Sequence, residues 1–167
     1  MPKNKIFKTR NGKNIILFFT NQIMALHSQA LFNYLKPRLN KNEVYKVWID
    51  FNNCTYIDST TVGTLIKIDN ILKTIDRELI LCNLPEDIAR IFQEMHLDSY
   101  FNIIKLEIFK KIANNIKEQI PVEKNKKVSL DFILDTHKCI VKISPEMEEE
   151  FKDLFSLLNR DQKKEGC

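Results

Sequence analysis

The chain has 167 residues, of which 44% are hydrophobic and 29% charged, with a formal net charge of +4. These values are ordinary for a soluble globular protein and fit one domain with an appendage. The mild charge, the scattered basic residues and the lack of an aromatic platform argue against direct binding to nucleic acid.

Over roughly the first 120 residues, apolar runs alternate with helical patterns. Asn11-Gly12 separates two apolar runs and predicts a tight hairpin, because both residues tolerate positive φ. Pro37 is expected to end or kink the first helix. The predicted order is strands over 6–10 and 15–20, a helix over 21–39, a strand over 44–51, a helix over 60–75, a strand over 79–82, a helix opened by Pro85, a strand over 100–104 and a helix over 106–116. This alternation predicts an α/β fold with a mixed sheet, in which the strands after the hairpin run parallel.

The last third of the chain has a different pattern. Residues 121–127 are polar and basic, which predicts a linker after a main domain over 1–120. Apolar residues alternate with polar ones on both sides of a turn at 135–138, and this predicts a second β-hairpin over 128–143. Ser144-Pro145-Glu146 then begins a helix. The extension over 128–160 is therefore predicted to be a hairpin plus one amphipathic helix, and 161–167 a flexible tail.

A hairpin and one helix bury too little apolar surface to be stable alone. The extension should therefore pack on the main domain, on a second copy of the chain in a homodimer, or on another protein. Docking would use the apolar stripe of the last helix, formed by Met147, Phe151, Leu154 and Phe155.

No pattern in the sequence predicts a metal, a cofactor or catalysis. The four cysteines form no C-x-x-C pair, the three histidines are far apart, and no glycine-rich phosphate loop is present. No apolar run is long enough for a membrane span, and the polar start is not a secretory signal. A reducing cytoplasm is the expected location.

The junction at Asp58-Ser59 follows the strand over 44–51 and precedes the next helix. A serine at a helix start can cap it, because its hydroxyl accepts a bond from a free backbone N–H. The same position tolerates a phosphate, which a helix N-terminus stabilises. The residues alone favour the cap, and they leave a phosphorylation switch open.

Residues 50–63, DFNNCTYIDSTTVG, resemble the signature of the STAS domain of bacterial anti-sigma factor antagonists. The direct matches are Asp50, Ile57, Asp58, Ser59, Thr60 and Gly63. The order of elements over residues 5–119 also agrees with that family. The resemblance implies a STAS-like sheet with an opening hairpin, parallel strands and packed helices, followed by the predicted hairpin–helix extension.

The resemblance also implies a function without catalysis, in signal transduction and transcription regulation. Ser59 aligns with the serine that a partner kinase phosphorylates in this family, the kinase doubling as an anti-sigma factor. The unphosphorylated protein binds that partner, the phosphorylated protein releases it, and a phosphatase resets the switch. The implied partner-binding residues are Asp50, Asn53, Asp58, Thr60, Thr61 and Asn21.

Three positions depart from the family pattern. Thr61 and Asn53 stand where the family usually has glycine, and Thr20-Asn21-Gln22 replaces a loop that normally forms part of the partner face. An alternative function therefore remains open. The protein could be a non-switching STAS scaffold or interaction subunit of a larger signalling or lipid-transport assembly.

Overall fold

The computed structural model describes residues 3–123 and 125–165, with side chains described as far as residue 160. The strands are β1 (Lys5–Asn11), β2 (Asn14–Ile23), β3 (Lys46–Ile57), β4 (Glu78–Cys82) and β5 (Asn102–Ile104). The α-helices are α1 (Ala25–Asn40), α2 (Ser59–Thr74), α3 (Glu86–Glu94), α4 (Glu107–Ile112), α5 (Leu130–Ile143) and α6 (Glu148–Glu165), with short 3-10 turns at Ala113–Asn115 and Pro145–Met147.

The five strands form one mixed sheet in the order β1-β2-β3-β4-β5. β1 pairs antiparallel with β2, and every later pair is parallel. Gly12 adopts the left-handed conformation in the turn between β1 and β2, which glycine does without steric penalty. The predicted α/β architecture, with an opening hairpin and then parallel strands, is confirmed.

Helices cover both faces of the sheet. On one face, Phe19 and Phe51 belong to the main core, which includes buried residues of α1, α2 and α3. On the other face, Phe18 lies in a smaller cluster with Phe109 of α4. β2 is therefore buried on both faces, which explains its continuously apolar sequence.

β3 is longer than predicted. It continues past Phe51 to Ile57 and pairs with the end of β2 through an irregular register. Residues 52–57 are therefore strand and not a turn, and β3 leads directly into Asp58.

The predicted second hairpin is wrong, because residues 130–143 form helix α5. Ser129 caps this helix by accepting a hydrogen bond from the backbone N–H of Phe132. Its buried side chains include Phe132, Thr136 and Ile140, which are spaced four residues apart and so share one helical face. The predicted turn at 135–138 lies in the middle of the helix.

The extension packs on the main domain, one of the three arrangements predicted from the sequence. Phe132 of α5 contacts Phe32 of α1, with ring centroids 5.8 Å apart. Phe151 of α6 packs edge-on against His137 of α5 at 4.7 Å. Residues 161–165 continue α6, so the predicted flexible tail is wrong there, and 166–167 lie outside the described residues. Among the described helices, none is both long and apolar enough to span a membrane.

Candidate functional site

Asp58 joins the first turns of two helices. Its backbone is extended, and it is the N-cap of α2. One carboxylate oxygen accepts bonds from the backbone N–H of Thr61 at 2.8 Å and from the Thr61 hydroxyl at 2.7 Å. The other accepts from the backbone N–H of Ala25 in α1 at 2.9 Å. The cap predicted for Ser59 is therefore supplied by Asp58, and Ser59 is the first helical residue.

Thr61 replaces the family's usual glycine and is buried. Its hydroxyl oxygen lies 2.9 Å from the carbonyl oxygen of Ile23, at the end of β2, and 2.6 Å from the hydroxyl oxygen of Ser28 in α1. Together with the bond to Asp58, these contacts tie β2, α1 and α2 together. The departure from glycine is thus structural, and Thr61 does not reach the surface in this conformation.

Ser59 is half-buried, and its hydroxyl oxygen lies 2.7 Å from Nε2 of His137 in α5. Nδ1 of His137 lies 2.7 Å from the carbonyl oxygen of Ile133. A carbonyl only accepts hydrogen bonds, so Nδ1 carries the proton and Nε2 of the neutral ring accepts from the Ser59 hydroxyl. His137 is only 2% exposed, and this burial lowers its pKa and favours the neutral ring.

Asp50 lies inside the protein, at 1% exposure. It accepts a 2.7 Å bond from Nδ2 of Asn83. The same nitrogen donates to the carbonyl oxygen of Leu106, and Oδ1 of Asn83 accepts from the backbone N–H of Leu106. Burial raises the pKa of the Asp50 carboxyl. Asp50 therefore fastens β3 to the segment before α4, and it does not contact a partner in this conformation. Thr60 is also buried and does not contact a partner in this conformation.

The chain segments that lead from β2 into α1 and from β3 into α2 carry polar and apolar side chains that are exposed or half-buried. Asn21 and Asn53 line an open groove near the carboxyl ends of β2 and β3. Met24 and Tyr56 are 37% and 43% exposed on the same two chain segments. Asn21, Met24, Asn53, Tyr56 and Ser59 are called the Ser59 face below.

The described residues include no cluster of three or more histidine, cysteine, aspartate or glutamate side chains that could hold a metal ion. Burial raises the pKa of the Cys54 and Cys82 thiols to about 12, so both are protonated at neutral pH. These two cysteines act as small core residues.

The sequence profile of the STAS domain matches residues 5–118. The chain belongs to the STAS domain family. Three solved structures share its fold. The first is the anti-sigma factor antagonist SpoIIAA in its unphosphorylated form, with 12% identity, a TM-score of 0.52 and a match that covers 69% of this chain and 96% of that chain. The second is the Bacillus cell fate determinant SpoIIAA in the phosphorylated form, with 13% identity, a TM-score of 0.54 and coverage of 66% and 98% of the two chains. The third is an anti-sigma-factor antagonist (STAS) domain protein from Planctomyces limnophilus, with 14% identity, a TM-score of 0.54 and coverage of 65% and 96%.

The STAS match ends before α5 and α6, so His137 lies outside it. His137 is not among the site residues predicted from the sequence, because residues 135–138 are predicted to form a hairpin turn. Asn83, which adopts positive φ and holds Asp50, is not among them either. The signal for Asn83 was an asparagine directly after a buried strand, where left-handed backbone is common.

Proposed function

We propose that this STAS protein binds a protein partner reversibly through the Ser59 face, as an anti-sigma factor antagonist, and that phosphorylation of Ser59 controls the binding. The partner would be an anti-sigma factor with serine kinase activity, and a phosphatase would reset the switch. The observation that carries the proposal is the position of Ser59. It is the first residue of α2 and follows Asp58, whose carboxylate accepts from the backbone N–H of Ala25, the residue after exposed Met24.

Electrostatics support a switch at this position without a large change of shape in the STAS domain. A phosphate adds about −1.5 to −2 charges at pH 7. The N-terminus of α2 stabilises that charge, so the helix need not unfold. The partner, however, must desolvate the phosphate beside the Asp58 carboxylate. A loss of about 3 kcal/mol weakens a complex roughly a hundredfold, which is enough to release the partner.

The second candidate is a non-switching STAS scaffold or interaction subunit in a larger signalling or lipid-transport assembly. The observation that favours it is the bond between Ser59 and His137, because the hydroxyl already has an intramolecular partner. The apolar stripe of α6 suits docking, since Leu154 and Phe155 are only half-buried and Leu157 is 56% exposed.

Phosphopeptide mapping of the protein from its native cells separates the two candidates. Cleavage after Lys46 and Lys67 isolates residues 47–67, the peptide that contains Ser59. Phosphate on Ser59 that changes with growth conditions supports the switch. A well-detected peptide without phosphate in every condition, from protein that co-purifies with a stable complex, supports the scaffold.

The switch is tested directly by measuring the affinity of the protein for a serine kinase that binds its unphosphorylated form in a lysate of its native cells. Ser59→Asp should weaken binding by up to about a hundredfold, while Ser59→Ala should retain it. Ser99→Asp is the matched control, because Ser99 is an exposed serine in the loop that follows α3. Equal affinities for Ser59→Asp and Ser99→Asp would contradict the switch.

A further inference from the structure

α5 lies directly against the first two turns of α2. At Ser59, the hydroxyl oxygen is 2.7 Å from His137. One turn later, a Cβ placed on Gly63 would lie 2.2 Å from the carbonyl oxygen of Thr136. The two helices therefore approach backbone to backbone at Gly63, and no space is left between them for an added group at that point.

The contact between α5 and α2 is anchored around its perimeter. The backbone N–H of Ser129, just before α5, donates to the Gln29 side chain of α1 at 3.0 Å. Lys67 of α2 and Asp135 of α5 form an ion pair at 3.8 Å. Phe151 of α6 packs against the ring of His137. The extension thus holds His137 against Ser59 as a packed layer of the protein.

Phosphorylation removes the proton on which the Ser59–His137 bond depends. Transfer of the γ-phosphoryl group of ATP forms an Oγ–P bond and releases ADP, while the hydroxyl proton passes to a base of the kinase. The ester oxygen that remains cannot donate, and Nε2 of the neutral His137 ring cannot donate either. The new phosphate would also lie against the buried ring of His137, on the residue that follows Asp58, and burial is unfavourable for a dianion.

We propose that α5 and α6 form an intramolecular cover, which must leave Ser59 before a kinase can phosphorylate it and which cannot redock while the phosphate is present. This inference rests on the proposed function, because it concerns regulation of the same serine. Docking of α5 and phosphorylation of Ser59 then exclude each other, so each changes the equilibrium of the other by the same factor. His137 is the positioning residue that holds the hydroxyl inside the cover.

Thiol labelling measures the opening of the cover without a kinase. Ser59→Cys is introduced in the full chain and labelled with N-ethylmaleimide, and the rate is read from peptide 47–67. Cys54 in the same peptide is an internal control for global unfolding, because it is buried. Adding Gly63→Ala should speed labelling at position 59 at least about tenfold, since the new Cβ displaces α5.

Gly12→Ala is the matched control for Gly63→Ala. It strains a positive-φ turn, but among the described residues no atom outside the turn lies within 4 Å of the added Cβ, so it should leave labelling at position 59 unchanged. If Gly63→Ala does not fold, His137→Ala replaces it and should also speed labelling. Two results would overturn the proposal: labelling of Ser59→Cys at the rate of an unstructured peptide, or a labelling rate that Gly63→Ala does not change.

Hydrogen exchange tests the second half of the proposal. Phosphoserine is installed at position 59 of the full chain during translation, and exchange is followed over 130–143. It should become at least about tenfold faster than in the unmodified protein, while β2 and β3 stay protected. Phosphoserine at position 99 should change nothing.

Unchanged or slower exchange over 130–143 would overturn the exclusion, because the phosphate would then be accommodated or held by a protonated His137. These results are independent of the cellular test. If Ser59 is never phosphorylated in native cells, the switch is refuted, but the thiol-labelling and hydrogen-exchange results on α5 docking remain valid. Hydrogen exchange over 130–143 that does not change with the phosphate would refute the cover, and it would not affect the result of phosphopeptide mapping.

Discussion

Replacing Asp58 by alanine tests the argument that this side chain joins the starts of α1 and α2. The variant loses the N-cap bond to the backbone of Thr61, which is worth about 0.5–2 kcal/mol. It also leaves the backbone N–H of Ala25 without its partner, at a further cost of about 1 kcal/mol when water can partly replace the carboxylate. The expected loss in free energy of unfolding is about 1.5–3 kcal/mol, measured by urea denaturation.

Asp58→Asn separates geometry from charge. The amide oxygen can still accept from one of the two N–H groups, but the amide nitrogen then faces the other donor, so an intermediate loss is expected. Glu94→Ala is the control, since this exposed carboxylate stands at the last residue of α3 and should change stability by no more than about 0.5 kcal/mol. A loss for Asp58→Ala as small as for Glu94→Ala would refute the argument.

Three further predictions concern the interior. Because burial raises the pKa of Asp50, the wild-type advantage over Asp50→Asn in free energy of unfolding should shrink as pH rises above about 3.8, and a flat difference would contradict this. The lowered pKa of His137 has the opposite consequence. The wild-type advantage over His137→Gln should be complete above about pH 6.5 and decline below it, in the same urea titrations; a difference independent of pH would show that the ring is not held neutral. Phe132→Ala should destabilise by about 3–5 kcal/mol, whereas exposed Leu157→Ala should change little; equal effects would mean that α5 is not docked through Phe132.

Most of the STAS fold could be predicted because its local signals agree with one another. Asn11-Gly12 indicated the hairpin, and the alternation of apolar runs with helical patterns indicated parallel strands joined by helices. The end of β3 was placed six residues early, because 52–57 are rich in polar residues and their strand pairing with β2 depends on an irregular register. Register irregularities depend on the partner strand and leave little trace in a single segment.

The error over 128–143 has a specific cause. Apolar residues at 128, 130, 132 and 134 have the spacing of a strand, but Ile133 is also apolar and breaks the alternation, and a window this short cannot separate a strand from a helix. Two local signals favoured the helix. Ser129 is a good N-cap, and no glycine or proline lies between 130 and 143 to make the turn that a hairpin needs.

The candidate site was only partly predictable for a different reason. Asp58 and Ser59 are both good capping residues, so sequence alone could not decide which one caps α2. The contact between Ser59 and His137 joins residues 78 positions apart, and no local pattern encodes it. The partner-binding roles given to Asp50, Thr60 and Thr61 came from alignment with a motif, which carries no information about burial.

The burial of α2 nevertheless left a trace in its composition. Every residue from 60 to 66 is buried, whereas a helix that covers one face of a sheet normally keeps a polar face in water. Small and uncharged residues in this stretch, including Thr64 and Gly63, leave room for a second layer. The layer is α5, since Gly63 would clash with Thr136 if it carried a Cβ. Gly63 is thus required by the extension as well as matched by the STAS signature, because any larger residue at this position would prevent α5 from packing against α2.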